Sequence, residues 1–230
     1  MRKLLVFLIV LGLLAVAGDR LAEKLTTDEA EQRLTAEGLS SPAVDVRGFP
    51  FLTQLLARRF DDVHVSAASV RVGPGQAERV SATARDVAVP SGGQATAGRL
   101  TARGTIAYTE VLRRVNRSGL RLTDAGSGQV QLRRRLAVLG LTYDVVARGR
   151  VESRGNTLVV TPTSVRLAGG GSLDQRLSAL IADRFSLSYR IRGLPEGIQI
   201  DRVRPAQDGF VVDVSGRDVR LATAAASALR

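Results

Sequence analysis

The sequence predicts an α+β fold in a single domain, built mainly from long antiparallel strands with two or three helices. Two observations carry this. Apolar residues recur at every second position in runs from Val44 to Val89, Val130 to Leu167 and Ile198 to Val214, the period of a half-buried strand. Helical spacing is confined to residues 19–38, 109–115 and 172–184. No polar linker divides the chain and no clean repeat occurs, although long strands precede a single helix twice.

The first element is a leader. Arg2 and Lys3 precede fourteen uncharged residues, Leu4 to Ala17. A membrane-spanning helix needs about 20 apolar residues, whereas a secretory h-region takes about 7–15. Ala15-Val16-Ala17 is an A-x-A cleavage pattern that puts a mature start at Gly18. Export to the cell envelope or medium is therefore expected, with residues 1–17 acting as a cleaved signal peptide or an uncleaved signal-anchor. Residues 18–221 read as one domain. Residues 222–230 read as a loosely ordered, Ala-rich tail.

Residues 19–38 carry a helical stripe of Leu21, Leu25, Ala30 and Leu34, with Gly38 as a C-cap. The period changes to two at Val44. The segment Gly48 to Leu56 then gathers two of the six phenylalanines, with Arg58 and Arg59 directly after it. Val63 and Val65 give way to Val70 and Val72, and Val80, Ala82 and Ala84 give way to Val87 and Val89. Each change of phase predicts a β-bulge, which bends a strand and raises its twist. Gly73-Pro74-Gly75 and Pro90 to Gly93 read as turns.

Thr109 to Val115 reads as a helix capped by Thr109. Val130–Arg134, Leu136–Glu152 and Thr157–Leu167 read as strands, the last two joined tightly through Gly155-Asn156. After the Gly169-Gly170-Gly171 hinge, Ser172 caps a helix with Leu173, Leu177, Leu180 and Ile181 on one stripe. Phe185–Ile191 is a strand. Ile198–Val203 and Phe210–Val214 form a hairpin around Gln207-Asp208-Gly209, and Val219–Leu221 closes the fold.

Composition bounds the chemistry. The 230-residue chain has a net charge of +11 and no cysteine. Thiol catalysis, thiolate metal sites and redox roles are excluded, and an exported chain of this kind is stabilised by packing alone. Lysine occurs only at positions 3 and 24, so the positive charge is almost all arginine. A GC-rich genome produces such a bias. So does binding to phosphate or carboxylate, which guanidinium forks hold bidentately. For an exported protein the polyanions in reach are lipid headgroups and acidic glycans, not nucleic acid.

No catalytic set stands out, and neither a metal nor a cofactor is expected. The single His64 sits on the polar face of an alternating strand. Asp61 and Asp62 would point to opposite faces of a strand, and read more simply as a solvated turn. Gly169-Gly170-Gly171-Ser172 precedes a helix but lacks the ending of a phosphate-binding P-loop. Binding remains. Phe49, Phe51, Leu52, Leu55 and Leu56 form an apolar cluster beside Arg58 and Arg59, a combination that suits a lipid interface as well as a core-packing corner. Arg113, Arg114, Arg133 and Arg135 are further headgroup candidates, with a solvated surface as the default reading.

The order of these features resembles the LmeA-like phospholipid-binding family of actinobacterial cell-envelope proteins. The resemblance rests on the signal and helix ending in Gly38-Leu39, on Val44 to Gln54 with its specific G-F-P-F-L-T-Q segment, on the helix start at Tyr108–Val115, and on Leu194-Pro195-Glu196-Gly197-Ile198 leading into Gly209-Phe210-Val211-Val212. It implies an elongated lipid-binding (TULIP/BPI-like) architecture, in which a long curved antiparallel sheet wraps one or two helices around an apolar groove. It also implies phospholipid binding, phosphoinositide included, and a role in lipoglycan (mannan) assembly at a membrane surface. Two competing readings are an envelope scaffold that partners a glycosyltransferase, and a lipoglycan hydrolase or transferase.

Overall fold

The computed structural model describes residues 31–32, 35, 39–72, 75–90, 95–115, 119–138, 141–169, 181, 184–192, 194 and 196–221. The leader, most of the helices expected at 19–38 and 172–184, parts of the turns at 73–74 and 91–93, most of the glycine hinge and the tail lie outside the described residues. Glu31, Gln32 and Thr35 are helical, as are Ile181, Arg184 and Phe185.

Among the described residues the strands form two sheets. In chain order the elements are β1 (Leu39–Ser40), β2 (Ala43–Arg47), α1 (Phe51–Ala57), β3 (Arg59–Val72), β4 (Gly75–Ala88), β5 (Thr96–Ala107), α2 (Tyr108–Arg114), β6 (Arg121–Asp124), β7 (Gln129–Val138), β8 (Leu141–Arg154), β9 (Thr157–Leu167), β10 (Leu187–Arg190), β11 (Ile198–Ala206) and β12 (Gly209–Arg220). The first sheet runs β1-β3-β4-β5-β12-β11, with β2 following β1 along the same edge of β3. The second runs β10-β9-β8-β7-β6. All pairings are antiparallel. The first sheet curls into a half-barrel, and its β11 edge packs against β6, β7 and β8 of the second.

The curl has a local origin that the phase changes anticipate. β3 and β4 pair through Phe60↔Val87 and Asp62↔Arg85, and through Ala67↔Val80 and Ser69↔Glu78, skipping the steps at Asp61/Asp86 and Ala68/Arg79. Arg79 and Asp86 have left-handed backbones, φ 49° and 54°. Both strands thus reset their alternation together without slipping register. That is how Ala84 and Val87, three residues apart, are both buried. The Asp86 reset continues across the sheet. Gly98 of β5 lies between Asp86 and Asp218 (φ 50°), and a Cβ on Gly98 would lie 3.1 Å from that of Asp86. Further register shifts occur in β8, β4 and β11.

Two cores result. The larger joins the second sheet to α2, β5 and β12 through Val130, Leu132, Val145, Leu158, Val160, Phe185 and Phe210, all fully buried. The smaller lies under α1 at the other end of the first sheet and holds Val46, Phe51, Phe60, Val63, Val87 and Val89.

Several boundaries differ from the sequence reading. Residues 51–57 form a helix where only an apolar cluster was legible. Gly48, at φ 125°, turns the chain into it, and Arg58 at φ 52° ends it in the left-handed position usual for a helix C-terminus. Thr109 lies inside α2, whose N-cap position is Ala107 with no side-chain cap. Leu136 belongs to β7, not to the following strand, and Phe185 is helical. Asp61 and Asp62 sit within β3 rather than in a turn. Gly209 opens β12, which runs unbroken through Val219. The sequence reading misses β5, between the turn at Pro90 and α2, whose alternation of Leu100, Ala102 and Ile106 is interrupted by Gly104.

Candidate functional site

A cavity of about 930 Å³ opens between the two sheets. Small-molecule sites occupy roughly 300–1,000 Å³, so this one is at the large end. One wall is the curled sheet: Val70 and Val72 of β3, Ala77 and Val80 of β4, Ala102 and Ile106 of β5, and Val212 and Val214 of β12. The facing wall comes from Val160, Leu187, Tyr189, Ile191 and Leu194. The C-terminal end of α2 closes one side with Arg114 and Val115.

Why the space exists follows from residue size. The inner positions of β5 are Leu100, Ala102, Gly104 and Ile106, and its cavity-lining neighbours on β4 are Ala77 and Val80. A Cβ on Gly104 would press on Val80 at 3.3 Å and touch Ala77 at 3.5 Å, so this position takes no larger side chain without displacing β4. Strands carrying methyls instead of isobutyl groups leave a curled sheet unfilled.

The polar lining is one-sided. Arg71, Arg103, Arg114, Arg190 and Arg192 line the cavity, and among the described residues no Asp or Glu lines it. Arg103 is committed to Asp213 at 2.5 Å, which Arg204 also reaches at 3.2 Å. Burial pushes the Asp213 carboxyl up, but the bond and charge of Arg103, with Arg204, outweigh it and hold it below the ordinary range. Arg114 bonds at 3.2 Å to Glu110, a buried carboxylate that Arg113 also contacts. Arg71, Arg190 and Arg192 form no ion pair with a described residue. Tyr189 lies close enough to feel Arg114 and Arg113, whose charges oppose the upward push of burial on its phenol.

α2 is held in place by its first residue. The Tyr108 ring packs edge-on against Phe210 at 4.9 Å, and its hydroxyl donates to the Ala206 carbonyl at 2.7 Å. Burial, with Asp124 nearby, raises its pKa to about 12. The folded value lies above the ordinary one of about 10, so the neutral phenol contributes stability that is complete below pH ~10 and is lost as pH rises toward 12. Thermal melts from pH 8 to 11.5 should fall more steeply above pH ~10 for the native chain than for Tyr108→Phe. Parallel curves would contradict this anchoring role.

The candidate residues from the sequence go to three separate places. Of them, Arg114 alone lines the cavity. Arg113 is exposed and paired with Glu110. Arg133 and Arg135 share an exposed face of β7 as the period requires, and Arg133 grips Asp144 through two 3.1 Å bonds. Phe51 is fully buried in the smaller core, against Phe60 at 6.3 Å, and Leu55 packs partly buried on the same core. Phe49, Leu52 and Leu56 are exposed, as are Arg58 and Arg59. His64 pairs across the strands with Thr83 at 3.0 Å. Arg71, Arg190, Arg192, Tyr189 and the β5 positions escaped sequence reasoning. A usable signal was present at Arg114, Val115, Leu194, Ile198 and Val212, which belong to the segments on which the family resemblance rests and line the cavity.

The family model described as LmeA-like phospholipid-binding matches residues 17–215. No curated protein matches the chain.

Proposed function

The chain belongs to the LmeA-like phospholipid-binding family, and from that premise we propose that it holds an anionic phospholipid with its acyl chains in the cavity between the sheets. The observation that carries this reading is the lining itself: among the described residues, apolar walls with five arginines and no carboxylate. Burying each CH₂ contributes about 0.8 kcal/mol, so acyl chains supply most of the affinity without covalent chemistry. Guanidinium groups at Arg71, Arg190 and Arg192, with Arg114, supply the counter-charge for a phosphate, and an inositol-bearing headgroup adds hydroxyls for the neighbouring polar groups. We read the chain as a binder rather than an enzyme.

We place this binding outside the cytoplasm, in the cell envelope. The leader pattern at residues 1–17 supports that placement, and the family match begins where the leader ends. There the protein would keep phospholipid available for envelope lipid or lipoglycan (mannan) assembly, with a glycosyltransferase as the kind of enzyme that consumes it.

The test is native mass spectrometry of the purified chain, with any bound lipid extracted and identified, followed by Arg71→Gln/Arg190→Gln/Arg192→Gln. At about 1 kcal/mol per arginine near an anionic surface, the triple variant should bind phosphatidylinositol at least tenfold more weakly. Phosphatidylcholine binding should change little, and the salt dependence of phosphatidylinositol binding should flatten. Equal losses for both lipids would remove the electrostatic part of the proposal. A chain that neither carries nor takes up lipid would remove the whole.

A further inference from the structure

Phe49, Leu52 and Leu56 are the large hydrophobic side chains left exposed among the described residues, at 59%, 38% and 84%. All three fall within eight residues, on α1 and its entry. Leu52 and Leu56 are four apart, so they stack on one helix face, while Phe51 and Gln54 turn inward. Arg47, Arg58 and Arg59 are exposed around them, with Asp45 and Asp61 the nearby exposed carboxylates and Arg47 bonded to Asp45 at 2.7 Å.

The patch sits on a firmly held support. Gln54 Oε1 accepts from the Asp61 backbone N–H at 2.9 Å, and a Cβ on Gly48 would fall 2.3 Å from Gln54 Nε2. The Arg58 carbonyl accepts from the Val89 N–H at 2.9 Å, fastening the helix end to the segment after β4. The fold thus spends a buried helix face to hold an apolar outer face in water. Along β3, Phe60 beneath the patch and Val70 at the cavity are ten residues apart, about 30 Å at strand rise. The patch is therefore not a wall of the cavity.

We propose that the α1 tip is a membrane-docking surface, which inserts Phe49, Leu52 and Leu56 into the interface of an anionic bilayer. A protein partner is disfavoured by size: specific interfaces take about 800 Å² from each partner, more than three side chains on a two-turn helix present. A bilayer demands no complementary shape, and the arginines beside the patch, on a chain of net charge +11, match anionic headgroups. The ligand class of the family resides in bilayers. The assignment does not depend on where the bound lipid lies.

The chain contains no tryptophan, so Leu56→Trp places a unique fluorophore at the tip. Vesicles of phosphatidylglycerol and phosphatidylcholine should shift its emission to the blue, and brominated acyl chains should quench it. Soluble inositol phosphate should do neither. The same emission with and without vesicles would overturn the proposal. Leu52→Asp/Leu56→Asp should weaken vesicle flotation tenfold or more, with its melting temperature and co-purified lipid unchanged. Flotation equal to the native chain would overturn the proposal, as would loss of a dimer in sedimentation without loss of flotation, which would make the patch a contact between two copies.

Discussion

Phe51→Ala should lower stability by about 3–5 kcal/mol, the cost of emptying a buried phenylalanine site. Phe51 is fully buried, sits 6.3 Å from Phe60, and is the largest contribution α1 makes to the smaller core. Collapse around the void is restricted because β3 pairs with β4 at Phe60 and with both β2 and β4 at Val63. Its neighbour Leu56 is 84% exposed, so Leu56→Ala should stay within about 0.5 kcal/mol of the native chain. Urea midpoints of the two variants separate by the full difference. Lipid carried by the folded fraction of Phe51→Ala should match the native chain, because the cavity lies far along the sheet. An unmoved midpoint with reduced lipid would return Phe51 to the ligand site and contradict its burial.

The second large effect comes from filling the cavity. Ala77→Phe/Ala102→Phe adds two rings from one wall, at half-buried positions that line the space. Overpacking costs about 1–3 kcal/mol where a core is already full. Here the rings enter open volume and cover apolar surface, so the midpoint should hold or rise. Bound lipid should fall to a small fraction of the native occupancy. The pairing of unchanged stability with lost lipid distinguishes a filled site from a broken fold. Retention of a full complement of lipid would move the ligand elsewhere.

These two variants also mark what was legible in the sequence. The small core was legible in part: Val63 and Val87 stand out by period, Phe51 reads equally as a lipid-facing residue and as a core-packing corner, and Phe60 beside it was not singled out. Even the phase changes were meaningful, since they fall where Asp61/Asp86 and Ala68/Arg79 reset the pleat. The cavity was the opposite case. β5 lines it with Ala102 and Gly104, and these small residues between Leu100 and Ile106 leave an alternation too weak to stand out. Arg190 and Arg192 look like any exposed arginines until the curl of the first sheet brings β10 opposite β4 and β5. The α1 helix was missed for another reason. Seven residues span barely two turns, too few for a period of 3.6 to emerge, and the inward face pairs Phe51 with a polar Gln54 while Leu52 and Leu56 face outward.

The headgroup candidates illustrate the limit of charge patterning. Arg113-Arg114 and Arg133-Arg134-Arg135 are the conspicuous clusters in the sequence, yet Arg133 is neutralised by Asp144 across the strand pair and Arg113 by Glu110 on its own helix. Arg114, the one that lines the cavity, shares that same carboxylate. Of the arginines with no described ionic partner there, Arg71 stands alone and Arg190 and Arg192 form only a spaced pair around Ile191, so they are less conspicuous than the three-residue runs.

The central claim is that phospholipid lies between the two sheets. Photo-crosslinking with phosphatidylinositol carrying a diazirine in its acyl chain tests it most directly, with the labelled peptides read by mass spectrometry. The account predicts labels on residues 70–80, 100–106 and 187–194, competed away by unlabelled lipid and absent from Ala77→Phe/Ala102→Phe. Competable labelling confined to residues 49–57, or to the outer face of the second sheet around Arg133 and Arg135, would contradict it.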